Sequence, residues 1–223
     1  MEAIILAGGR GIRLQERVSD LPKPLAQVAG RPFIDHIVEQ LGGAARIIVS
    51  AGYLADKIEA HFENSAVQVI VEGTPLGTGG ALQFALQFCD EENVLVCNGD
   101  TYVDYDVDVL YKYHMEKGGA LTILTRNVEN AGRYGTLELE GSRIIDFKEK
   151  EVVGKGVINA GAYIVNKKQF LDQGFPESFS LETQGFPKML QLGVYSFPSL
   201  GRFIDIGTPS SYDDSQKMFG ANK

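Results

Sequence analysis

The residues best suited to chemistry lie within the first 25 positions, where an apolar segment leads into a glycine-rich turn. Gly8, Gly9 and Gly11 tolerate positive φ and let backbone N–H groups approach a ligand closely, which is one way to build an anion site. Arg13 and Lys23 add full positive charges nearby, and prolines on both sides of Lys23 stiffen its loop. The glycines alone would equally fit a plain turn after a buried strand. Together with the cations, they favour a site for a nucleoside triphosphate.

Two familiar glycine motifs do not match this turn. A dinucleotide-binding G-x-G-x-x-G motif that started at Gly9 would need glycine at position 14, where the chain has Leu14. A P-loop would need glycine, lysine and then serine or threonine shortly after its first glycine, and the sequence has no such triplet there. The turn therefore belongs to neither class.

Two acidic residues also follow predicted buried strands. Asp100 comes soon after residues 93–97, and its oxygens suit Mg²⁺, although a plain turn explains its Asn-Gly-Asp segment equally well. Glu72 follows another predicted strand, and its carboxylate can only accept hydrogen bonds. A further acidic cluster is interpreted as solvated residues at a helix start, namely Asp104, Asp106 and Asp108.

These residues need a scaffold that brings them together, and the hydrophobic pattern predicts one. Apolar strands are predicted at 3–7, 46–50, 67–71 and 93–97, and they alternate with helices at 32–41, at 54–62 and from the segment 72–82 to 88. Strands separated by helices of about ten residues predict a parallel sheet with right-handed crossovers. Ligands bind beyond the carboxyl ends of such strands, which is where the glycines, Glu72 and Asp100 fall.

The second half of the chain has a different pattern. Strands are predicted at 120–126, 134–139, 143–147 and 157–165, with little helix among them. Residues 134–147 alternate as in a hairpin that reverses at 140–142, so this half is predicted to be mixed or antiparallel. A short strand at 202–204 then leads to Asp205 and to a helix that Thr208 caps and Pro209 begins.

Composition excludes several classes of function. The 223 residues carry a net charge of −8 without a basic cluster, which argues against a nucleic-acid partner. The sequence has neither an apolar stretch long enough to span a membrane nor a signal peptide, so we expect a cytoplasmic protein without a membrane partner. Cys89 and Cys97 lack metal-ligand spacing and the three histidines are scattered, so none is assigned a function. The length fits one domain, with residues 1–119 and 120–223 as its halves.

Two segments, LAGGRGIRL at 6–14 and PKPL at 22–25, resemble the signature of the sugar-1-phosphate nucleotidyltransferases. These enzymes join a sugar phosphate to an NTP and release pyrophosphate. The family usually has threonine where this chain has Ile12, so backbone N–H groups are expected to make that phosphate contact. The resemblance spans nearly the whole chain. It implies a three-layer Rossmann-like α/β fold of the GT-A type, with a mixed, mostly parallel central sheet flanked by helices and a small antiparallel sugar-binding part.

The resemblance also assigns residues to the two substrates. The nucleotide site that it implies comprises Leu6, Ala7, Gly8, Gly9, Gly11, Glu72, Gly77 and Thr78. The resemblance places Glu72 at the edge of the base, where a carboxylate suits the N1–H and 2-amino group of guanine and so favours guanine. Uracil also has a ring N–H, so Glu72 alone does not exclude it. Gly77, Gly79 and Gly80 would let the backbone approach this ligand. The sugar site that it implies comprises Gly135, Glu149, Asn159 and Gly161, with Tyr134, Ser180 and Glu182 in the pocket or its outer support. Lys150 would contact phosphate, whereas without the resemblance it is better interpreted as exposed charge at a hairpin end. Asp205 matches a second ligand, with Asp100, of one Mg²⁺ ion.

The implied reaction is in-line attack of a sugar-phosphate oxygen on the α-phosphate of the NTP. Lys23 and Lys150 would contact the transferring and sugar phosphates, and Arg13 the leaving pyrophosphate. Within the family, the chain most resembles enzymes that use GTP and D-glycero-α-D-manno-heptose 1-phosphate in bacterial surface-polysaccharide synthesis. The alternatives are another base or sugar, as in N-acetylmuramate 1-phosphate uridylyltransferases or mannose-1-phosphate guanylyltransferases, and a non-catalytic nucleotide-sugar-binding module. A homodimer is one oligomeric state that the resemblance allows.

Overall fold

Strands and helices alternate through the first half of the chain in the computed structural model, which describes residues 1–14, 17–18, 20–148 and 154–220. The strands are β1 (Glu2–Ala7), β2 (Gln27–Val28), β3 (Arg31–Pro32), β4 (Arg46–Ala51), β5 (Gln68–Val71), β6 (Asn93–Asn98), β7 (Thr101–Val103), β8 (Leu121–Val128), β9 (Thr136–Glu140), β10 (Arg143–Lys148), β11 (Gly156–Asn166), β12 (Val194–Pro198) and β13 (Phe203–Asp205). The α-helices are α1 (Phe33–Gln40), α2 (Ala55–Phe62), α3 (Gly77–Ala85), α4 (Val107–Lys117), α5 (Lys167–Leu171), α6 (Phe186–Met189) and α7 (Pro209–Gly220). Short 3₁₀ turns cover Ile12–Leu14, Lys23–Leu25, Leu86–Phe88 and Leu190–Leu192, and a π-helical turn covers Leu181–Gly185.

The first half of the chain builds a parallel part of the sheet, in the order β5-β4-β1-β6. Ala7 at the end of β1 pairs with Ala51, which pairs in turn with Val71. Leu6 pairs with Asn98 at the end of β6. The four strands therefore end at one edge of the sheet, and the loops that follow them all leave from that edge. The parallel arrangement predicted from the alternating pattern is confirmed.

β11 joins the two halves, because it pairs antiparallel with β6 on one side and with β8 on the other. Within the described residues, nine strands form one mixed sheet in the order β5-β4-β1-β6-β11-β8-β12-β10-β9. β9 and β10 form the predicted hairpin, whose reversal includes Gly141 with a φ of 60°. The strand predicted to begin at Tyr134 begins instead at Thr136, so Tyr134 lies in the preceding loop.

A small antiparallel sheet of β7 and β13 is a feature that the sequence pattern does not predict. β7 follows β6 closely, and its pairing with β13 puts Asp205 opposite Thr101. The backbone N–H of Ile206 donates to the carbonyl oxygen of Asp100 at 2.9 Å. Residues from opposite halves of the chain thereby become neighbours at the carboxyl edge of the main sheet.

Helices cover both faces of the sheet, which gives the predicted three layers. In β1, the side chains of Ala3, Ile5 and Ala7 enter one core layer and that of Ile4 enters the other. The first layer packs against α1, α2, α4 and α7, and the second against α3, α5 and α6. None of the helices described is long and apolar enough to cross a membrane.

α7 packs across the β2–β3 hairpin, which follows Lys23 in the chain. The helix begins as predicted, because the side-chain oxygen of Thr208 accepts a hydrogen bond from the backbone N–H of Ser211 at 3.3 Å. Tyr212 and Gln216 each donate a side-chain hydrogen bond of 2.6 Å to the carbonyl oxygen of Gln27. α7, the last described helix, is therefore hydrogen-bonded to Gln27 in β2.

Burial determines the protonation state of Cys89, Cys97 and His114. Cys89 and Cys97 are free and buried, and burial raises the pKa of Cys89 to about 12 and that of Cys97 to about 11. His114 lies within hydrogen-bond distance of Thr122 and Asn93, and burial lowers its pKa to about 4. At neutral pH these groups are therefore an uncharged imidazole and two protonated thiols.

Candidate active site

The carboxyl edge of the parallel strands opens into a cleft of about 1020 Å³, which has room for a nucleotide. Its lining contains many of the predicted site residues: Leu6, Ala7, Gly8, Gly9, Gly11, Arg13, Lys23, Glu72, Gly77, Thr78 and Asp100. The lining also includes residues that the sequence did not assign to the nucleotide, among them Arg10, Tyr53, Asn98, Glu182 and Gly207. The glycine turn, the two predicted cations and the first predicted metal ligand therefore share one cavity.

Gly8 lies against the carboxylate of Glu72. An added Cβ at Gly8 would lie 2.5 Å from Oε1 of Glu72, whereas a Cβ at Gly9 would meet no atom within 4 Å. The carbonyl oxygen of Gly8 accepts a hydrogen bond from the backbone N–H of Tyr53 at 3.2 Å. The glycine turn is thus held against the loop after β4, and Gly9 lines the cleft with free space beside its Cα.

Glu72 follows β5 and is half-buried in the wall of the cleft. Its carboxylate accepts a hydrogen bond from the hydroxyl of Ser50 at 3.4 Å and one from the backbone N–H of Leu76 at 3.3 Å. Burial raises the pKa of this carboxyl above its ordinary value of 4.5, and the two hydrogen bonds oppose that rise with smaller effects. Glu72 is therefore a partly desolvated acceptor in a defined position, which is what recognition of a base edge requires.

Lys23 and Asp100 form an ion pair inside the cleft. Nζ of Lys23 donates to Oδ2 of Asp100, and only 12% of the lysine side chain is exposed. Gly11 has a φ of 58° and lies against the aliphatic part of the Lys23 side chain. An added Cβ at Gly11 would lie 3.1 Å from Cβ of Lys23. The glycine turn and the lysine loop therefore pack on each other. Arg13, in the 3₁₀ turn between them, is exposed and lines the same cleft.

Asp205 lies near the same lysine. An added Cβ at Gly207 would lie 2.6 Å from Oδ1 of Asp205 and 3.5 Å from Nζ of Lys23, so one ammonium group has both carboxylates in its vicinity. Within the described ranges, no group of three or more His, Cys, Asp or Glu side chains is arranged to hold a metal. Two neighbouring carboxylates fit Mg²⁺, which binds through one or two carboxylates, keeps several waters and takes its other ligands from phosphates.

Arg133 is a further residue beside the site that the sequence does not identify. Its Nη2 donates to both oxygens of Asp205, at 3.0 and 3.3 Å, and the hydroxyl of Tyr134 donates to the same carboxylate. The backbone N–H of Gly207 donates to Oδ1 of Asp205 at 3.0 Å. Arg133 lies in the loop between β8 and β9, and no local pattern connects that loop with a residue at the end of β13.

Gly79 and Gly80 serve packing inside the protein, which corrects the expectation that they let the backbone approach a ligand. An added Cβ at Gly79 would overlap the ring of Phe179, and one at Gly80 would overlap the carbonyl oxygen of Glu177. Both glycines are buried. A side chain at either position would not fit, because the first turn of α3 lies directly against the segment 177–179.

Thr78 links α3 to the π-helical turn. Its hydroxyl donates to Oε2 of Glu182 at 2.8 Å and accepts from the backbone N–H of Leu181 at 2.9 Å. The hydroxyl of Ser180 donates to the same glutamate oxygen at 2.9 Å. Ser180 and Glu182, which the sequence assigned to the sugar pocket or its outer support, thus support the helix start that carries Gly77 and Thr78.

Three of the predicted sugar residues are not among the residues that line the cleft, although Gly161 lies beside the lining residue Asn98. That lining does not include Gly135, Asn159 or Gly161. Oδ1 of Asn159 accepts from the backbone N–H of Gly161 at 2.8 Å, within an irregularity of β11. Gly161 has a φ of 82°, and an added Cβ would lie 2.9 Å from Thr101. The predicted residues Glu149 and Lys150 lie outside the described residues.

The acidic cluster before α4 is only partly as predicted. Asp106 and Asp108 are exposed at the helix start, where Oδ1 of Asp106 accepts the backbone N–H groups of Asp108 and Val109. The prediction is wrong for Asp104, which pairs with Arg202 at 3.0 Å and accepts from the hydroxyl of Tyr102. Burial acts to raise the pKa of Asp104, but the hydrogen bonds from Arg202 and Tyr102 outweigh it and lower that pKa.

This sheet and this cleft together are those of a nucleotidyltransferase, and comparison with known proteins agrees. The chain belongs to the nucleotidyl transferase family, whose model matches residues 2–220. It is an enzyme of that class, so the resemblance inferred from residues 6–14 and 22–25 is confirmed.

Individual relatives are similar over almost the whole chain. The D-glycero-α-D-manno-heptose 1-phosphate guanylyltransferase of Aneurinibacillus thermoaerophilus is 41% identical over 97% of both chains. An enzyme of the same name from Campylobacter jejuni is 35% identical over 95% of this chain and 97% of its own. A crystal structure of HddC from Yersinia pseudotuberculosis matches with a TM-score of 0.87 at 35% identity, covering 98% of this chain and 99% of that one, and HddC has also been solved with GMP-PN. The predicted fold class is confirmed.

Proposed function

We propose that this enzyme joins GTP to D-glycero-α-D-manno-heptose 1-phosphate, giving GDP-heptose and pyrophosphate. The observation that carries the choice of base is Glu72, an acceptor-only side chain held in the wall of the cleft. The names of the two curated relatives and the GMP-PN complex of HddC support both the base and the sugar. Four further predictions accompany this proposal: a role in bacterial surface-polysaccharide synthesis such as capsule formation, a cytoplasmic location, a single domain and a homodimer.

In this proposal the nucleotide lies along the cleft with its base between Glu72 and the start of α3. Its triphosphate follows the glycine turn toward Arg13 and Lys23. The cleft is lined both by Gly77 and Thr78 at the start of α3 and by Arg13, Lys23 and Asp100, which supports that orientation. Backbone N–H groups of the turn, rather than a hydroxyl at position 12, would donate to the phosphates.

The chemical step requires alignment of two anions and stabilisation of charge. An oxygen of the sugar phosphate attacks the α-phosphorus, and the bond to the pyrophosphate oxygen breaks, so no side-chain nucleophile or strong base is required. Lys23 would stabilise the transferring phosphate and Arg13 the leaving pyrophosphate. Lys150 would hold the sugar phosphate, while Gly135, Glu149, Asn159 and Gly161 would contact the sugar.

Asp100 and Asp205 would hold a Mg²⁺ ion. When bound, the ion supplies positive charge that offsets the negative charge of the triphosphate and the departing pyrophosphate. The donor set supports this assignment, because Asp100 in the turn before β7 and Asp205 at the end of β13 lie near one lysine.

A panel of the four common NTPs against several sugar 1-phosphates, scored for pyrophosphate release, tests the proposal. GTP with the manno-heptose 1-phosphate is expected to give the highest kcat/KM, because Glu72 favours guanine and uracil offers it only one ring N–H. UTP with N-acetylmuramate 1-phosphate and GTP with mannose 1-phosphate are the informative comparisons. No turnover with GTP would reject the proposal, and nucleotide binding without any pyrophosphate release would favour a non-catalytic binding module.

Acidification is expected to weaken GTP binding at a higher pH than an ordinary glutamate would predict. Guanine needs the carboxylate form of Glu72, and burial raises the pKa of this group, so the required form is lost earlier as the pH falls. Glu72→Gln is expected to bind GTP about 10- to 100-fold more weakly at pH 7.5, the loss typical of a bidentate base contact. Calorimetric titration of both proteins between pH 7.5 and 5 measures this.

The difference between the two proteins isolates Glu72, because protonation of the phosphates affects both equally. The affinity gap between wild type and Glu72→Gln should narrow as the pH falls. A gap that stayed constant over this range, or a variant that bound GTP as tightly as wild type, would contradict the assignment of Glu72 to guanine.

A further inference from the structure

Each carboxylate of the predicted metal site already has a cation from the chain beside it. Lys23 donates to Asp100, and Arg133 donates to both oxygens of Asp205 at 3.0 and 3.3 Å. Tyr134 adds its hydroxyl to Asp205, whose side chain is only 15% exposed. The oxygens that a metal ion would need on Asp205 are therefore engaged by hydrogen-bond donors.

We infer that Arg133 is the counter-ion of Asp205 in the metal-free enzyme, and that Asp205 accepts a divalent cation only when this guanidinium withdraws. A Mg²⁺ ion binds carboxylate oxygen at about 2.0–2.1 Å. A guanidinium nitrogen 3.0 Å from the same oxygen would then lie within roughly 5 Å of a doubly charged ion, where like charges repel.

The exposure of the two cations indicates which of them can move. The side chain of Arg133 is 42% exposed and lies on a loop, whereas that of Lys23 is 12% exposed and lies between two prolines. Arg133 can therefore move toward solvent at little cost. Tyr134 carries no charge, so it can remain hydrogen-bonded to one oxygen of Asp205 while the other binds metal.

Competition between Arg133 and a metal ion for Asp205 affects how the enzyme binds metal. Asp205 stays paired and oriented when the site is empty, and the affinity of the free enzyme for metal is lowered by the strength of the Arg133 contact. A metal ion that arrives with a triphosphate brings further oxygen ligands and can overcome this competition. The inference rests on the proposed role of Asp205 as a metal ligand, and it does not depend on which base or sugar the enzyme uses.

Titration of the nucleotide-free protein with Mn²⁺, followed by the electron paramagnetic resonance of free Mn²⁺, tests the inference. Arg133→Gln is expected to bind Mn²⁺ about fivefold to tenfold more tightly than wild type, because a charge-assisted and partly exposed contact is removed. Arg133→Lys, which keeps the positive charge, should remain near wild type. If Arg133→Gln does not give a wild-type circular dichroism spectrum, Arg133→Met takes its place.

Asp205→Asn tests whether Asp205 binds the metal ion at all, separately from the competing role of Arg133. Loss of Mn²⁺ binding in Asp205→Asn, together with tighter binding in Arg133→Gln, supports the inference. Equal or weaker binding in Arg133→Gln overturns it, as does a lack of binding in every protein. Binding in Asp205→Asn at wild-type strength would remove the metal-ligand role itself. Mn²⁺ should also raise the Tm of Arg133→Gln more than that of wild type, since a tighter ligand stabilises more at equal concentration.

Discussion

Replacing Lys23 with alanine is expected to lower kcat about a thousandfold, because a single donor to developing transition-state charge contributes about 10² to 10³ in rate. Lys23 is the cation that the prolines and the glycine turn hold in the cleft beside Asp100. The fold should persist, because Asp100 is 38% exposed and can be hydrated when the lysine is removed. Pyrophosphate release at saturating substrates measures kcat, and thermal unfolding checks the fold.

Lys217→Ala is the matched control for this substitution. Lys217 is 79% exposed on α7 and pairs only with a neighbouring helix residue, Asp214, among the contacts of the described chain, so its loss should leave kcat unchanged. The double variant Lys23→Ala with Asp100→Ala should lose little more activity than the more severe single variant, because groups that act as a unit are not additive. A Lys23→Ala enzyme with near wild-type turnover would remove the proposed mechanism.

Replacing Gly80 with alanine is expected to lower the free energy of unfolding by about 3 kcal/mol, near the upper end for overpacking a core. An added Cβ would overlap the carbonyl oxygen of Glu177 and would lie 2.9 Å from Cβ of Leu76. The segment cannot retreat freely, because Phe179 donates to Leu76 and accepts from Gly79 through backbone hydrogen bonds. Alanine in a helix usually gains about 1 kcal/mol over glycine, so the clash must outweigh that gain. Urea unfolding monitored by circular dichroism measures the difference.

Gly43→Ala provides the control for Gly80→Ala. Gly43 lies in the turn after α1, and a Cβ there would meet no atom within 4 Å. Its substitution should change the free energy of unfolding by no more than about 0.5 kcal/mol, as at most surface positions. If Gly80→Ala proved as stable as wild type, the segment 177–179 would have to be movable, and the packing argument for α3 would not hold.

The nucleotide side of the site is predictable from sequence because its signals are local. A buried strand followed by glycines predicts both the end of β1 and the turn, and the same reasoning locates Glu72 after β5 and Asp100 after β6. Parallel strands end at one edge of the sheet, so residues that are far apart in sequence can be predicted to lie close together even when their side-chain contacts are unknown. The prediction that Asp100 and Asp205 bind one metal ion came from the family resemblance, and the β7–β13 sheet places Asp205 opposite Thr101, the neighbour of Asp100.

The remaining features depend on tertiary contacts that leave no local pattern. Arg133 is a loop residue whose role appears only when Asp205 lies opposite it. Asp104 has the spacing of a helix-start residue, yet Arg202 binds it from the far end of the chain. Gly80 looks like part of a ligand loop because glycine permits both ligand approach and close packing, and only the position of Glu177 distinguishes the two.

The contact of α7 with the β2–β3 hairpin orders events during protein synthesis. Gln27 leaves the ribosome long before Gln216, whose side chain donates to its carbonyl oxygen. At about 5–20 residues per second, roughly 10 to 40 seconds separate the two. For most of that interval the nascent chain lacks both α7 and Asp205, so its lysine loop is without the contacts that α7 provides. The cleft that Lys23 lines can therefore be completed only after the segment from Asp205 to Gln216 has been synthesised.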